Sequence, residues 1–141
     1  MDALKKIADA KVTFVSRGDD SGTDKEEKAL WKAAGVQPSG TWYIESGQGM
    51  GATLRIASEK SAYTLTDRAT YLNLRKTLAL KILLEGDPGL LNRYSVMLVN
   101  PAKHPGVNSE GARTFHAWLL SDEARTLIRN YGKDRFGQSL F

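Results

Sequence analysis

The sequence predicts an α/β fold with a mainly parallel sheet flanked by helices, and three observations predict it. Short β-branched and aromatic runs alternate with longer stretches of helical periodicity. Glycine- and hydroxyl-rich junctions separate run from helix at residues 16–23, 46–51 and 65–68. The chain has 141 residues, of which 41% are hydrophobic and 26% charged, enough to build one ordinary core. Strand-to-helix alternation of this kind buries a parallel sheet between helices.

The elements follow in order. Asp2 to Ala10 reads as a helix with Leu4, Ile7 and Ala8 on one face. Val12 to Ser16 reads as a strand, and Arg17 to Gly22 as a loop. Thr23 then opens a helix to about Ala34, because Thr23-Asp24-Lys25-Glu26 has the capping-box pattern. Asp24, Glu26 and Glu27 suit its positive N-terminal end, and Gly35 stops it. Trp42 to Glu45 is a short strand. Gly47-Gln48-Gly49-Met50-Gly51 leads into a helix from about Ala52 to Glu59. Ala62 to Leu65 is a strand, and Thr66 is the expected N-cap of a helix to about Lys76. Leu80 to Leu84 is a strand followed by a turn at residues 86–89. Tyr94 to Val99 is the strongest strand signal, ended by Pro101. Helices over Asn108–Leu120 and Ser121–Tyr131 close the chain, with a tail from Phe136 to Phe141.

Composition excludes several chemistries. With no cysteine there is no disulfide, thiolate nucleophile or Cys-based zinc site. His104 and His116 lack partner ligands, so no metal site is expected and both read as surface or packing residues. No apolar run approaches the ~20 residues that span a bilayer. The start, Met1 to Ile7, has no apolar h-region, so the chain as given carries no export signal. The net charge is +4, from 20 Lys and Arg against 16 Asp and Glu, and the basic residues are scattered. A nucleic-acid partner is not expected from that pattern. Trp31, Trp42, Tyr43 and Trp118 read as core and edge positions rather than a ligand platform. Glu45, Asp67 and Glu85 have no nucleophile or metal beside them, so acid–base catalysis is not expected.

The informative segment is Ser16-Arg17-Gly18-Asp19-Asp20-Ser21-Gly22-Thr23. Ligands of parallel sheets sit at the carboxyl ends of strands, where loops enter helix N-termini. A helix N-terminus offers unpaired N–H groups and partial positive charge. Gly18 and Gly22 permit close backbone approach, and Arg17 adds a planar fork of donors suited to oxyanions. Ser16, Ser21 and Thr23 add hydroxyls. Two readings stay open on this chemistry: a site for a small tetrahedral dianion, or a plain helix cap with Arg17 paired to Asp19 or Asp20. Gly49 and Gly51 lie in a loop that lacks dinucleotide spacing and reads first as a tight turn. Arg68, near Thr66, is expected to pair with a carboxylate.

These strings resemble the tungstate-binding substrate receptors of bacterial ABC importers. The signature is carried by residues 16–23, by Gly47-Gln48-Gly49-Met50-Gly51-Ala52-Thr53-Leu54, and by Tyr63-Thr64-Leu65-Thr66-Asp67-Arg68. Val99-Asn100-Pro101, His104-Pro105-Gly106-Val107-Asn108 and Phe136-Gly137-Gln138 extend it. The resemblance implies a periplasmic binding protein of type II-like architecture that holds tungstate or a related oxoanion in a cleft. It implies no catalysis, no cofactor and delivery to a membrane permease. It implies an extracytoplasmic location, although this chain shows no signal peptide. Residues 1–95 would be the second lobe, and residues 96–141 a returning strand and helices that pack on a first lobe absent here. Ser16, Arg17, Gly18, Ser21, Gly22, Thr23, Gly49, Gly51 and Thr66 are the expected ligand-binding residues. Asp24 stands where the family usually has His, which adds negative charge near a dianion.

Two expectations concern partners. Ala112, Phe115, Trp118, Leu119, Ala124, Leu127, Ile128 and Tyr131 form apolar stripes at helical spacing. Left bare, they predict a homodimer, with exchange of the C-terminal segment as one route. The rival functions are a cytoplasmic sensor domain of the same fold in a transcriptional regulator, and an enzyme acting on a phosphorylated metabolite.

Overall fold

A computed structural model describes residues 2–140. Met1, which precedes the expected N-terminal helix, and Phe141, which ends the expected C-terminal tail, lie outside the described residues. The chain divides into two compact units, residues 1–89 and 90–141.

The first unit holds α1 (Asp2–Ala10), β1 (Phe14–Ser16), α2 (Gly22–Ala33), β2 (Tyr43–Glu45), α3 (Met50–Glu59) and α4 (Arg68–Leu74). Strands β1 and β2 pair in parallel, with Phe14 opposite Tyr43 and Ser16 opposite Glu45. On the other side of β1 the chain forms a single parallel bridge, Phe14 to Tyr63. Val15 N–H donates to Tyr63 C=O at 2.8 Å and Tyr63 N–H to Thr13 C=O at 2.9 Å. The expected strand over Ala62–Leu65 is therefore reduced to a bridge. All three residues of β1 are buried, as a central parallel strand requires.

Two packed groups make the core of this unit. Val15, Ala57 and Ala62 cluster with Ile56 and Leu80 against them. Small residues at positions 57 and 62 let α3 lie close over β1. The second group is aromatic: Phe14 meets Trp31 edge-on at 5.2 Å and stacks with Tyr43 at 6.0 Å, and Trp42 meets Trp31 at 5.9 Å. Trp31, Trp42 and Tyr43 are thus core and edge residues, as their positions in the sequence suggest. Leu54 and Leu72 are buried as well, on α3 and α4.

Several boundaries move for local reasons. Helix α2 starts at Gly22, because Ser21, not Thr23, is its N-cap, with its side chain accepting from Asp24 N–H. Likewise Asp67, not Thr66, caps α4 by accepting from Thr70 N–H at 2.8 Å. Thr66 instead donates its hydroxyl to Asp67 C=O at 3.0 Å. The helix expected from Ala52 begins two residues earlier, at Met50, behind Gly49. The expected strand Leu80–Leu84 forms no ladder, and Leu83 is 74% exposed.

The second unit contains α5 (Ser109–Leu119), α6 (Asp122–Asn130) and α7 (Lys133–Phe136). Asn108 and Ser121 cap the first two by accepting from Gly111 N–H and Ala124 N–H. The short α7 lies in part of the expected tail, between Gly132 and Gly137, both left-handed. Tyr94 to Val99, the strongest strand signal, forms no strand, with Tyr94 77% and Met97 83% exposed. A β-rich run without a partner strand has no ladder to join, and its backbone groups are left to solvent. Among the described residues of this unit, Ala124 alone is buried. No helix of the described residues is long and apolar enough to cross a membrane.

Candidate functional site

The three junctions leave the same edge of the sheet. Because β1, β2 and the Tyr63 segment run parallel, Ser16, Glu45 and the residues after Thr64 end side by side. The chain then enters α2, α3 and α4 in turn, so three helix N-termini follow from one sheet edge. That is the location at which open α/β sheets take ligands.

Hydrogen bonds tie the first two junctions together. Ser46 N–H donates to Ser16 C=O at 2.9 Å and Gly47 N–H to Arg17 C=O at 2.8 Å. The Ser46 hydroxyl lies 3.2 Å from Arg17 C=O and 2.8 Å from the Thr53 hydroxyl. On the third side the Thr64 hydroxyl donates to Val15 C=O at 2.7 Å. Gly18 has φ +62°, and a Cβ there would fall 2.7 Å from Glu45 Cβ. No larger residue fits that crossing without moving β2.

Arg17 is half-buried and pairs with Asp19 through Nη2. Its Nε is buried and has no hydrogen-bond acceptor. A buried donor without an acceptor is costly, which makes this atom a signal. Asp19 also accepts from Ser21 N–H at 3.3 Å. Its carboxyl is held below the usual carboxylate range, first by its hydrogen bonding with Ser21 and then by Arg17. Asp20 turns away and meets exposed Lys25 at 3.4 Å. At the start of α2, Asp24 N–H is taken by Ser21 Oγ, which leaves the first-turn N–H groups of Gly22 and Thr23. Gly49 caps α3 with no side-chain bond, and nothing lies within 4 Å of a Cβ built there. Gly51 faces Leu74, with a built Cβ 3.5 Å from its Cδ1. Arg68 pairs with Glu85 at 2.8 Å, as expected of an arginine beside carboxylates.

One buried carboxylate, expected from the sequence to suit the helix dipole and to add negative charge near a dianion, has a further role in the fold. Asp24 is fully buried, and its oxygens accept from Gly18 N–H at 3.0 Å, Ser16 Oγ at 3.4 Å, Asp20 N–H at 3.2 Å and Lys28 Nζ at 2.9 Å. Burial pushes its pKa up, but the bonds from Lys28, Gly18 and Asp20 outweigh this and hold it below the ordinary value. The expected donors Ser16 Oγ and Gly18 N–H therefore point at an internal anion. The spacing Ser21-x-x-Asp24 signals only the reciprocal cap bonds between these two residues; Ser21 N–H goes instead to Asp19, and Asp24 reaches farther back to Gly18 and Asp20. Deeper, buried Glu27 accepts from Trp31 Nε1 at 3.1 Å and Tyr43 OH at 2.7 Å. Burial raises the Glu27 pKa, and burial with the neighbouring Glu27 raises that of Tyr43.

The carboxyl end of a parallel sheet, an arginine Nε without an acceptor and the starts of three helices thus follow one another along the chain at the three junctions. The family described as the PBP superfamily domain matches residues 1–123. The chain belongs to the PBP superfamily. It is 50% identical over 139 residues to the tungstate-binding protein TupA of Peptoclostridium acidaminophilum, covering 99% of this chain and 49% of that protein. Identity to the tungstate-binding protein TupA of Campylobacter jejuni is 44% over 135 residues, covering 92% of this chain and 50% of that protein. The solved tungstate ABC transporter structure from Geobacter sulfurreducens matches at 45% identity and TM-score 0.80, over 92% of this chain and 55% of that one. This PBP-superfamily chain spans about half the length of the curated relatives it matches.

Proposed function

We propose that this chain belongs to the substrate-binding component of an ABC importer for a tetrahedral oxoanion, with tungstate as the anion. The observation that carries the reading is the Nε of Arg17, a donor without an acceptor in the loop that leads into α2. Relatives named as tungstate-binding proteins support tungstate as the anion, and the unpartnered Arg17 donor supports a site at the first junction. Arg17 and the N–H groups of Gly22 and Thr23 donate to the anion. Gly49 and Gly51 bring the start of α3 near it, and Thr66 borders it at the third junction. Ser16, Gly18 and Ser21 shape the loop. The protein binds its anion without chemical change, works outside the cytoplasm and passes the anion to a membrane permease.

The domain reading belongs to the same proposal. Residues 1–95 form one lobe of a two-lobed receptor, and residues 96–141 pack on the other. Closure of two lobes buries the anion in such receptors. This chain alone then binds weakly and self-associates through its exposed C-terminal helices. Calorimetry with tungstate, molybdate, sulfate and phosphate tests the reading. The three unprotonated dianions need donors only, whereas hydrogen phosphate also needs an acceptor. Tungstate, molybdate and sulfate should each outcompete phosphate. A tight preference for phosphate, or no binding of any of the four, overturns it.

A further inference from the structure

Asp24 gathers the loop of residues 17–21 from inside. Gly18 and Asp20 both have left-handed backbones, with φ +62° and +58°. For a non-glycine residue such as Asp20 that conformation is unfavourable and needs support. Both residues turn their N–H groups to the same carboxylate. An ionised carboxylate has about four acceptor positions, and Gly18, Ser16, Asp20 and Lys28 supply four donors. Asp24 is therefore saturated by the protein itself. Lys28 is half-exposed and also lies 3.7 Å from Glu45 on β2, so it links the buried charge to the neighbouring strand.

We infer that Asp24 is the positioning residue of the anion loop and that Lys28 is its charge partner. The carboxylate occupies the inner side of the loop and fixes its two left-handed residues. Arg17 and the first turn of α2 are thereby presented on the outer side. This rests on the oxoanion reading above. It differs from that reading in assigning Ser16 Oγ and the Gly18 N–H to an internal anion, so that neither serves the external one.

The test compares wild type with Asp24→Asn, Lys28→Met and Lys28→Arg by amide NMR and tungstate titration. Asn at position 24 places an NH2 group where donors now point. Its Gly18 and Asp20 amide protons should move upfield, and tungstate affinity should fall about tenfold or more. Lys28→Met should shift the same two amides and weaken tungstate severalfold, and Lys28→Arg should restore both. A role in fold stability alone would lower the melting temperature without this amide signature or the rescue. Wild-type tungstate affinity in folded Asp24→Asn overturns the inference. If that variant does not fold, unchanged amides and affinity in Lys28→Met overturn it instead. A wild type that binds no oxoanion contradicts the functional reading, whereas the amide shifts still report whether Asp24 holds the loop.

Discussion

Residues 1–89 and 90–141 answer differently to similar sequence signals. In the first unit the strand signal from Val12 to Ser16 becomes a buried strand at Phe14–Ser16, because β2 and Tyr63 flank it. In the second, a stronger signal from Tyr94 to Val99 forms no strand and stays exposed. The helices differ in the same way. Trp31 on α2 is 1% exposed within an aromatic cluster, whereas Trp118 on α5 is 40% exposed and stacks only on Phe115 among described aromatic contacts. Strand propensity is realised only where neighbouring backbone and side chains complete it. The first unit contains its own completion. In the proposed receptor, the second finds it on a lobe outside this chain.

The largest expected effect lies at the centre of the first unit. Trp31→Ala removes the ring that joins Phe14, Trp42 and Tyr43, and leaves Glu27 without one of its donors. A loss of about 3–5 kcal/mol is expected in urea denaturation. A loss below about 1 kcal/mol would show that this unit is no better packed than the other. Next comes Gly18→Ala, which combines a positive φ with a close approach to Glu45. It should cost about 1–3 kcal/mol, read in the same titration.

Glu27 sharpens the comparison through pH. Its folded pKa is raised above the ordinary 4.5, so the protonated form is favoured in the fold. Its contribution is fully present below 4.5 and is lost as pH rises through the folded value. Glu27→Gln keeps an acceptor for Trp31 and Tyr43 and should flatten that part of the stability–pH curve. Parallel wild-type and variant curves between pH 4 and 8 would refute the assignment. The smallest effect on stability belongs to the second unit. Phe115→Ser and Leu127→Ser, at positions 57% and 56% exposed, should change monomer stability by about 0.5 kcal/mol or less. They should nevertheless reduce self-association in sedimentation. A wild-type chain that stays monomeric across micromolar concentrations would contradict the open-face reading.

Much of the first unit was legible in the sequence because its signals were local and complete. Asp2–Ala10 needed only its periodicity, and the loop of residues 16–23 only its glycines and hydroxyls between strand and helix. The capping residues were displaced because several adjacent side chains compete for the same N–H groups. Ser21 precedes Thr23 with a better reach, and Asp67 lies one residue beyond Thr66. The reach of Asp24 back to Gly18 and Asp20 depends on two left-handed residues, which composition does not display. Leu80–Leu84 and Tyr94–Val99 carry strand signals but form no strand, because a strand is a property of a pair. The plain reading of this loop is a helix cap with Arg17 paired to Asp19 or Asp20. The structure contains both, and it adds a buried Arg17 Nε with no acceptor.

That atom is where the account stands or falls. Isothermal calorimetry of tungstate with wild type and Arg17→Ala, both verified as folded, measures it directly. The account predicts an affinity lower by about tenfold to a hundredfold in the variant. Equal tungstate affinity in the two proteins would contradict it.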